Sequence, residues 1–359
     1  MIKWLKPSLA IFISLVILIL IGGAILYRML LSSVPDYDGE IESNKIKNNI
    51  EIYRDSTGIP YILAQDEDDA VFALGYLHAQ ERLFQMDLVR RSAEGKLSEI
   101  LGEETIPFDK MFLTVGIKKI SENIYNNSDE KLKKLLISYS NGVNQFINEK
   151  NKKLPIEFDV LNYEPEEWKP VHSIMIMRMM AWILNLSWWV DISYTNLVQK
   201  LGEEKARELL PNYEENAPTI IPSEIKNYQT LSASFINTDR NFRKFIGFVG
   251  NHIGSNNWVV SGEKSVTGKP IIANDPHLAN QAPTYWYAAV IRSNNLNVEG
   301  ATLPGTPFVV IGKNQNISWT LTNVMADDAD FYVEEIDETK KKYSLNGEWK
   351  NLIIKKDTI

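Results

Sequence analysis

The sequence predicts an α+β fold that follows a membrane-spanning helix. Apolar residues recur with helical spacing from residue 68 to 150 and again over His172–Leu201, whereas short strands separated by turn signals occupy residues 255–333. A helical region followed by a strand-rich region is typical of α+β proteins. With 359 residues, of which 44% are hydrophobic, the chain is long enough for one or two domains with a large core.

The N-terminal segment, residues 1–31, is predicted to be a membrane anchor or an uncleaved signal. No charged residue occurs from Pro7 to Tyr27, a length that suits a bilayer span. A cleavable signal peptide is the alternative, but its apolar region is usually shorter and ends at a small-x-small site, which is absent here. Lys3 and Lys6 precede the span and mark the cytoplasmic side, which predicts a body outside the cytoplasmic membrane.

An exposed linker is expected over residues 32–49, followed by a largely helical region from 50 to 217. The alternation of Ile50–Asp55, a turn, and Tyr61–Ala64 together predict a β-hairpin. Acidic residues at Asp66–Asp69 are typical of a helix N-terminus. Residues 218–254 are largely small, polar and charged, and we interpret them as a linker, with an ordinary surface loop as the alternative.

Composition excludes several classes of protein. The net charge is −8 and no cluster of Lys and Arg is present, so we expect no nucleic-acid partner. The absence of cysteine excludes disulfides, thiolate metal sites and a cysteine nucleophile. The four histidines lack helical ligand spacing and no Gly-x-Ser-x-Gly motif occurs, which argues against a zinc hydrolase and an α/β-hydrolase.

Ser255 is the strongest candidate nucleophile. It follows Gly254 and precedes Asn256, Asn257 and a short apolar run. A serine that becomes the first residue of a chain can use its own α-amino group as the base, with an ordinary pKa of about 7.7–8. An internal serine would instead need a histidine and a carboxylate. A plain turn that leads into a strand is the alternative interpretation.

Four further blocks occur in order along the chain. They are Gly75–Arg91 with Gly95–Gly102, Lys269–Leu278, Asn314–Asn323 and Asp327–Asp330. Together with Gly254-Ser255 they resemble the penicillin acylase family over roughly residues 50–335. The resemblance implies the αββα sandwich of N-terminal-nucleophile hydrolases, made as a precursor that cuts itself before the serine.

Under this resemblance the precursor yields an α chain and a β chain. The spacer at 218–254 would be excised, and residues 255–359 would begin the β chain. Because β chains of the family run for several hundred residues, we expect the sandwich to be incomplete and the chain to be a C-terminally truncated fragment. Both chains of the precursor are then partners of each other.

The resemblance also implies catalytic roles. Ser255 Oγ would attack the Gly254 carbonyl during cleavage and later the carbonyl of a small-molecule N-acyl amide. The backbone N–H of Asn323 and an asparagine side chain far downstream would stabilise the oxyanion. His277 would support the α-amino group of the nucleophile rather than shuttle protons.

A structural calcium ion is implied by the acidic block. Asp327 and Asp330 would bind Ca²⁺ through their carboxylates and Ala329 through its carbonyl, while Asp191 would replace a glutamate of the family's α chain. Dense oxygen ligands suit Ca²⁺. A solvated acidic surface is the alternative interpretation.

The acyl group of the substrate is expected to contact Leu278, Ile311, Ala181 and Asn185. Their largely aliphatic character favours a medium or long acyl chain over a phenylacetyl ring. The competing hypothesis is a catalytically inactive, membrane-tethered and calcium-stabilised binding or structural homologue.

Overall fold

The computed structural model describes most of the chain. The described residues are 2–149, 153–209, 229–248, 254–279, 281–324, 329, 331 and 334–359. Within them, eleven helices and eleven strands form, together with short 3-10 turns at Glu103–Thr105 and Gly262–Lys264.

The helices are α1 (Ile2–Ser32), α2 (Glu67–Glu94), α3 (Ser98–Leu101), α4 (Ile106–Val115), α5 (Ile117–Asn127), α6 (Glu130–Ile147), α7 (Ile156–Leu161), α8 (Pro170–Leu184), α9 (Ser187–Leu201), α10 (Glu203–Arg207) and α11 (Gln229–Phe245). The strands are β1 (Glu51–Arg54), β2 (Pro60–Leu63), β3 (Gly254–Val260), β4 (Ile271–His277), β5 (Tyr287–Arg292), β6 (Asn297–Thr302), β7 (Val309–Asn314), β8 (Ser318–Trp319), β9 (Glu335–Ile336), β10 (Lys342–Leu345) and β11 (Glu348–Asn351). The α+β class is therefore confirmed.

The chain divides into two compact units. The first unit comprises Met1–Arg90, Asn123–Ile174 and Pro283–Trp319, and the second comprises Arg91–Glu122, Met175–Ala282 and Thr320–Ile359.

A six-stranded sheet organises the first unit, with strand order β1-β2-β5-β6-β7-β8. Only β2 and β5 pair in parallel, with Tyr61 opposite Val290, and the other neighbours are antiparallel. The predicted hairpin corresponds to β1 and β2, and is confirmed.

Helices α2 and α6 approach each other closely at two glycines. A Cβ added to Gly75 would lie 2.2 Å from the carbonyl oxygen of Tyr139, and one added to Gly142 would lie 1.9 Å from that of Phe72. Any side chain at either position would have to displace backbone, so these glycines set the distance between the helices. Asp66 caps the N-terminus of α2, because its carboxylate accepts the backbone N–H of Asp69 at 2.9 Å.

His78 is completely buried on α2 and bridges helix α6 to the sheet. Its Nδ1 lies 2.7 Å from the Tyr139 hydroxyl and its Nε2 lies 2.9 Å from Thr302 Oγ1. Thr302 Oγ1 donates to the Tyr287 carbonyl at 2.7 Å, so Nε2 must carry the proton and donate to Thr302. Tyr139 donates to Nδ1 while its oxygen accepts the Gly305 N–H at 2.9 Å. The network is complete only with a neutral imidazole.

This burial makes the first unit sensitive to acid. Desolvation, with a smaller contribution from the charge of Arg82, lowers the pKa of His78 to about 3, whereas an unfolded histidine has a pKa of about 6.5. Between these values the unfolded chain binds a proton that the folded chain does not, so stability falls as the pH falls. We expect a loss of about 2 kcal/mol between pH 7 and pH 5 from this residue.

Chemical unfolding of wild type and His78→Gln at both pH values tests this expectation. The variant should be less stable at pH 7, because it cannot reproduce the whole network, yet lose less stability on acidification. Equal losses in the two proteins would show that His78 is not the group responsible.

In the second unit, α11 packs against α4, α8 and α9. The Phe242 ring lies 4.7 Å from that of Phe112, and Ile236 joins Trp188 and Ile192 in a hydrophobic cluster. Helix α11 lies in the stretch that its composition had indicated to be a linker, so the sequence did not predict this helix. Residues 210–228 and 249–253 of the expected spacer lie outside the described residues, and its excision stays a prediction.

Two other predicted regions show further detail. The stretch His172–Leu201 is helical, as predicted, and it comprises α8 and α9, which are bent by 42° at Asn185 and Leu186. The expected linker contains neither helix nor strand from residue 34 to 49, and it contacts other residues of the first unit, to which it belongs. The guanidinium of Arg54 lies 4.4 Å from the Tyr37 ring, and Lys47 forms an ion pair with Asp68 at 2.7 Å.

Helix α1 is long and apolar enough to cross a membrane. Its Leu9–Ser32 segment is unburied in the structure. Both membrane anchors and signal sequences have this character.

Candidate active site

Strands β3 and β4 form an antiparallel ribbon that carries the predicted nucleophile. Ser255 lies opposite Pro276, and Gly254 lies opposite His277. Side chains alternate between the faces of a strand, and directly opposite residues share a face. Ser255 therefore lies on one face of the ribbon, while His277 lies on the other.

The His277 ring is held beside the predicted cleavage site. Its Nε2 lies 3.0 Å from Oδ2 of Asp275 and 3.4 Å from Nδ2 of Asn256. Since a carboxylate only accepts, Nε2 carries a proton and donates it to Asp275. A Cβ placed on Gly254 would lie 3.7 Å from Nδ1, in ordinary contact with the ring. The His277 ring therefore lies beside Gly254, the residue before the predicted cleavage site.

Asn323, the predicted oxyanion donor, lies at the C-terminal end of α8. Its side-chain amide donates to the carbonyl of Leu184 at 2.6 Å. Two predicted acyl-pocket residues lie at the same helix end, Ala181 on its last turn and Asn185 directly after it. The structure thus brings Asn323, Ala181 and Asn185 together within the second unit.

The other two predicted acyl-pocket residues, Leu278 and Ile311, belong to other elements of the fold. Leu278 follows β4 directly, and its N–H donates to the Pro276 carbonyl at 3.0 Å. Ile311 lies on β7 of the first unit, opposite Ala301. Asn185 also has a local structural contact, because its Oδ1 accepts the backbone N–H of Ser187, the first residue of α9, at 2.9 Å.

A buried ion pair on α11 supports this helix end. Asp239 is fully buried and accepts the indole N–H groups of Trp182 and Trp189, each at 2.9 Å, as well as Nε of Arg243 at 2.6 Å. Arg243 in turn donates to the carbonyls of Trp182 at 3.0 Å and Asn185 at 3.1 Å, and to that of Ile183. A cation at a helix C-terminus satisfies its free carbonyl groups and complements its dipole.

Only part of the predicted calcium site lies within the described residues. Asp327 and Asp330 lie outside them. Ala329 packs against the hydrophobic cluster that includes Ile192, the residue after Asp191 on α9. No group of three or more His, Asp or Glu side chains suited to a metal occurs within the part of the chain that the structure describes.

A match to a protein-family sequence model shows to which known family the chain is related. The model described as penicillin amidase matches residues 49–359. The chain belongs to the penicillin amidase family. The family resemblance expected from the sequence is therefore confirmed.

Curated members of the penicillin amidase family include two close matches. Acyl-homoserine lactone acylase QuiP of Pseudomonas aeruginosa is 31% identical over 88% of this chain and 38% of its own length. Penicillin acylase 2 proenzyme of a Pseudomonas species is 30% identical over 91% of this chain and 43% of its own length. The chain thus spans about two fifths of the length of these relatives.

A solved penicillin amidase structure also matches. Thermostable penicillin G acylase from Alcaligenes faecalis is 26% identical and aligns with 49% of this chain and 98% of its own, at a TM-score of 0.40. A similarity of that size adds nothing to the description of the fold.

Proposed function

We propose that this chain is part of a self-processing amidohydrolase that uses Ser255 as an N-terminal nucleophile on an N-acyl amide. The observation that carries the proposal is the position of the Gly254–Ser255 bond on β3, beside His277. The names of the matched penicillin amidase relatives, which are acylases, support the reaction class.

In the first reaction, Ser255 Oγ attacks the carbonyl carbon of Gly254. The C–O bond forms, the hydroxyl proton passes to the Ser255 nitrogen and the C–N bond breaks, so an ester replaces the amide and the α-amino group of Ser255 is released. Water then hydrolyses the ester, leaving a carboxylate on Gly254 and a free amine on Ser255. We infer that the small residue at Gly254 allows the strained approach of the hydroxyl to this carbonyl.

In the second reaction, Ser255 Oγ attacks the carbonyl of the substrate amide. The α-amino group of Ser255 accepts the hydroxyl proton through a bridging water, and the amine product leaves with that proton. Water then releases the carboxylic acid from the acyl-enzyme. We propose the backbone N–H of Asn323 as one oxyanion donor, with a second donor from an asparagine side chain further along the complete protein.

For the substrate, we propose an amide with a medium or long aliphatic acyl chain. Ala181 and Asn185 lie at the end of α8 that Asn323 binds, and the family resemblance adds Leu278 and Ile311, whose side chains are aliphatic. The Pseudomonas aeruginosa relative is named as an acyl-homoserine lactone acylase, so N-acyl-homoserine lactones are the first candidates within this class.

The test uses the complete gene product in detergent. Its mass spectrum should show a polypeptide that begins at Ser255. A panel of short-, medium- and long-chain N-acyl-homoserine lactones, with a phenylacetyl amide for comparison, should show amide hydrolysis that increases with chain length. An uncut protein without activity on any acyl amide would instead support the inactive homologue.

We further propose that α1 is a retained anchor that holds the enzyme at the outer face of the cytoplasmic membrane. Lys3 and Lys6 before the span support this orientation. Protease digestion of intact spheroplasts should degrade the body, whereas protection of the body would contradict the orientation.

A structural calcium ion is also proposed, bound by Asp327, Asp330 and Asp191 through carboxylates and by Ala329 through its carbonyl. The packing of Ala329 against the cluster that contains Ile192, the residue after Asp191, supports this donor set, and the oxygen ligands suit Ca²⁺. The ion would fix the segment after Asn323 to α9 and take no part in bond breaking.

Replacing Asp327 and Asp330 together by Asn should lower the unfolding temperature by about 5–10 °C. An ion present at 100 times its Kd contributes about 2.7 kcal/mol, and 1 kcal/mol corresponds to about 2–4 °C for a domain of this size. Chelator should reproduce the effect in wild type but not in the variant. The exposed Asp159→Asn variant is the control, and metal analysis that finds no calcium in wild type would contradict the assignment.

A further inference from the structure

The side-chain amide of Asn274 joins two segments of the second unit. Its Nδ2 donates to the carbonyl of Asn256 at 2.9 Å and to the carbonyl of Leu321 at 3.1 Å, and its Oδ1 accepts the N–H of Leu321 at 3.1 Å. Leu321 is thus paired through both of its backbone groups, as it would be by a neighbouring strand.

The chemistry of this contact is specific to asparagine. A primary amide has two N–H donors and one carbonyl acceptor, and all of these are used here. The two carbonyl partners only accept and the Leu321 N–H only donates, which fixes the orientation of the amide. An aspartate at this position would place a carboxylate against two carbonyl oxygens.

The two joined segments carry the proposed reacting groups. Asn256 directly follows Ser255, and Leu321 lies two residues before Asn323. Asn274 lies opposite Asn257 on the ribbon, and therefore on the same face as Ser255. The Asn323 side chain is held in turn by Leu184, so the short segment from Leu321 to Asn323 is fixed at both ends.

We propose that Asn274 is a positioning residue that holds the backbone N–H of Asn323 at the correct distance from Ser255. This inference rests on the proposed function. A misplacement of about 1 Å in a catalytic group can cost about 10²-fold in rate, and loss of an oxyanion donor typically costs about 10²–10³-fold. Because this donor acts mainly on the transition state, the loss falls on kcat rather than on KM.

The experiment compares Asn274→Ala and Asn274→Asp in the complete gene product with wild type and with Thr267→Ala. Thr267 lies in the turn at the far end of the same ribbon, so it controls for general effects on the ribbon. Activity on an N-acyl-homoserine lactone is divided by the amount of chain that begins at Ser255, as measured by mass spectrometry.

We expect kcat to fall about 10- to 100-fold in both Asn274 variants, with KM within about threefold of wild type. In Asn274→Asp, activity relative to wild type should rise as the pH is lowered, because a protonated carboxyl regains one donor. Thr267→Ala should match wild type.

An unchanged kcat in mature Asn274→Ala would overturn the proposal. So would failure of both Asn274 variants to mature while Thr267→Ala matures, since Asn274 would then serve folding or cleavage rather than the rate of the mature enzyme. Wild-type protein that is not cut before Ser255, or that hydrolyses no acyl amide, would contradict the proposed function itself. Because wild type is measured first, this outcome is distinguished from a failure of the Asn274 proposal.

Discussion

The complete protein carrying Ser255→Ala is expected to remain a single uncut chain without amidase activity. Without the hydroxyl there is no nucleophile to attack the Gly254 carbonyl, and without the cut there is no α-amino base for the second reaction. The activity should fall to background. The measurement is denaturing electrophoresis and intact mass of the purified protein, followed by the acyl-amide assay.

Ser255→Cys is the matched control, because a thiol retains a nucleophile of similar size. It should be cut, completely or in part, to give a chain that begins at residue 255. If Ser255→Ala instead yielded the same two chains as wild type, another protease would be responsible for the cut and the self-cleavage mechanism would be wrong.

The second large effect is expected at the buried ion pair of α11. Asp239→Ala leaves the Arg243 guanidinium buried without its carboxylate, and removes the acceptor of the Trp182 and Trp189 indole groups. Breaking a buried pair by removal of one partner typically costs about 3–5 kcal/mol. We expect a loss of that size in the free energy of unfolding, measured by urea titration.

Two controls make this measurement specific. Lys133→Ala breaks the exposed Lys133–Glu130 pair on α6 and should cost less than about 1 kcal/mol. The double variant Asp239→Leu with Arg243→Met should be less destabilised than Asp239→Ala, because no buried charge remains. A loss in Asp239→Ala no larger than in Lys133→Ala would contradict a structural role for the pair. All variants are measured in the Ser255→Ala background, where the chain is expected to stay whole.

Sequence patterns predicted those parts of the fold in which apolar residues recur at regular intervals along the chain. The hairpin β1–β2 and helix α2 have regular apolar spacing, and strands β3, β4, β5 and β7 lie in the region predicted to contain short strands. Strand β6 (Asn297–Thr302) could not be predicted in this way, because glutamate, glycine and threonine interrupt the alternation of apolar and polar residues expected of a strand. Its place in the sheet depends on β5 and β7 on either side.

Helix α11 was missed for a different reason. Its charges at Asp239, Arg240 and Arg243 indicate a solvated segment, yet two of the three are buried against each other and against indole groups. Composition cannot separate a charged surface from a buried pair, because the difference lies in partners from α8 and α9. The burial becomes visible only when those helices are placed.

The candidate site was predicted unevenly. Ser255 and His277 were candidates from the sequence because they lie beside Gly254 and Pro276 in recognisable blocks. The contact of Asn274 with Leu321 could not be predicted, since Leu321 lies 47 residues further along the chain. Such a contact leaves no periodic signal in the sequence.

The parallel pairing of β2 with β5 has a consequence for the reversibility of unfolding. If the chain is cut before Ser255, β1 and β2 belong to one polypeptide and β5–β8 to another, so a single sheet is built from two molecules. The uncut precursor folds in a first-order reaction, whereas the separated chains must find each other by diffusion. Recovery after denaturation then depends on concentration, and the lifetime of the mature enzyme is set by its unfolding rate rather than by an equilibrium.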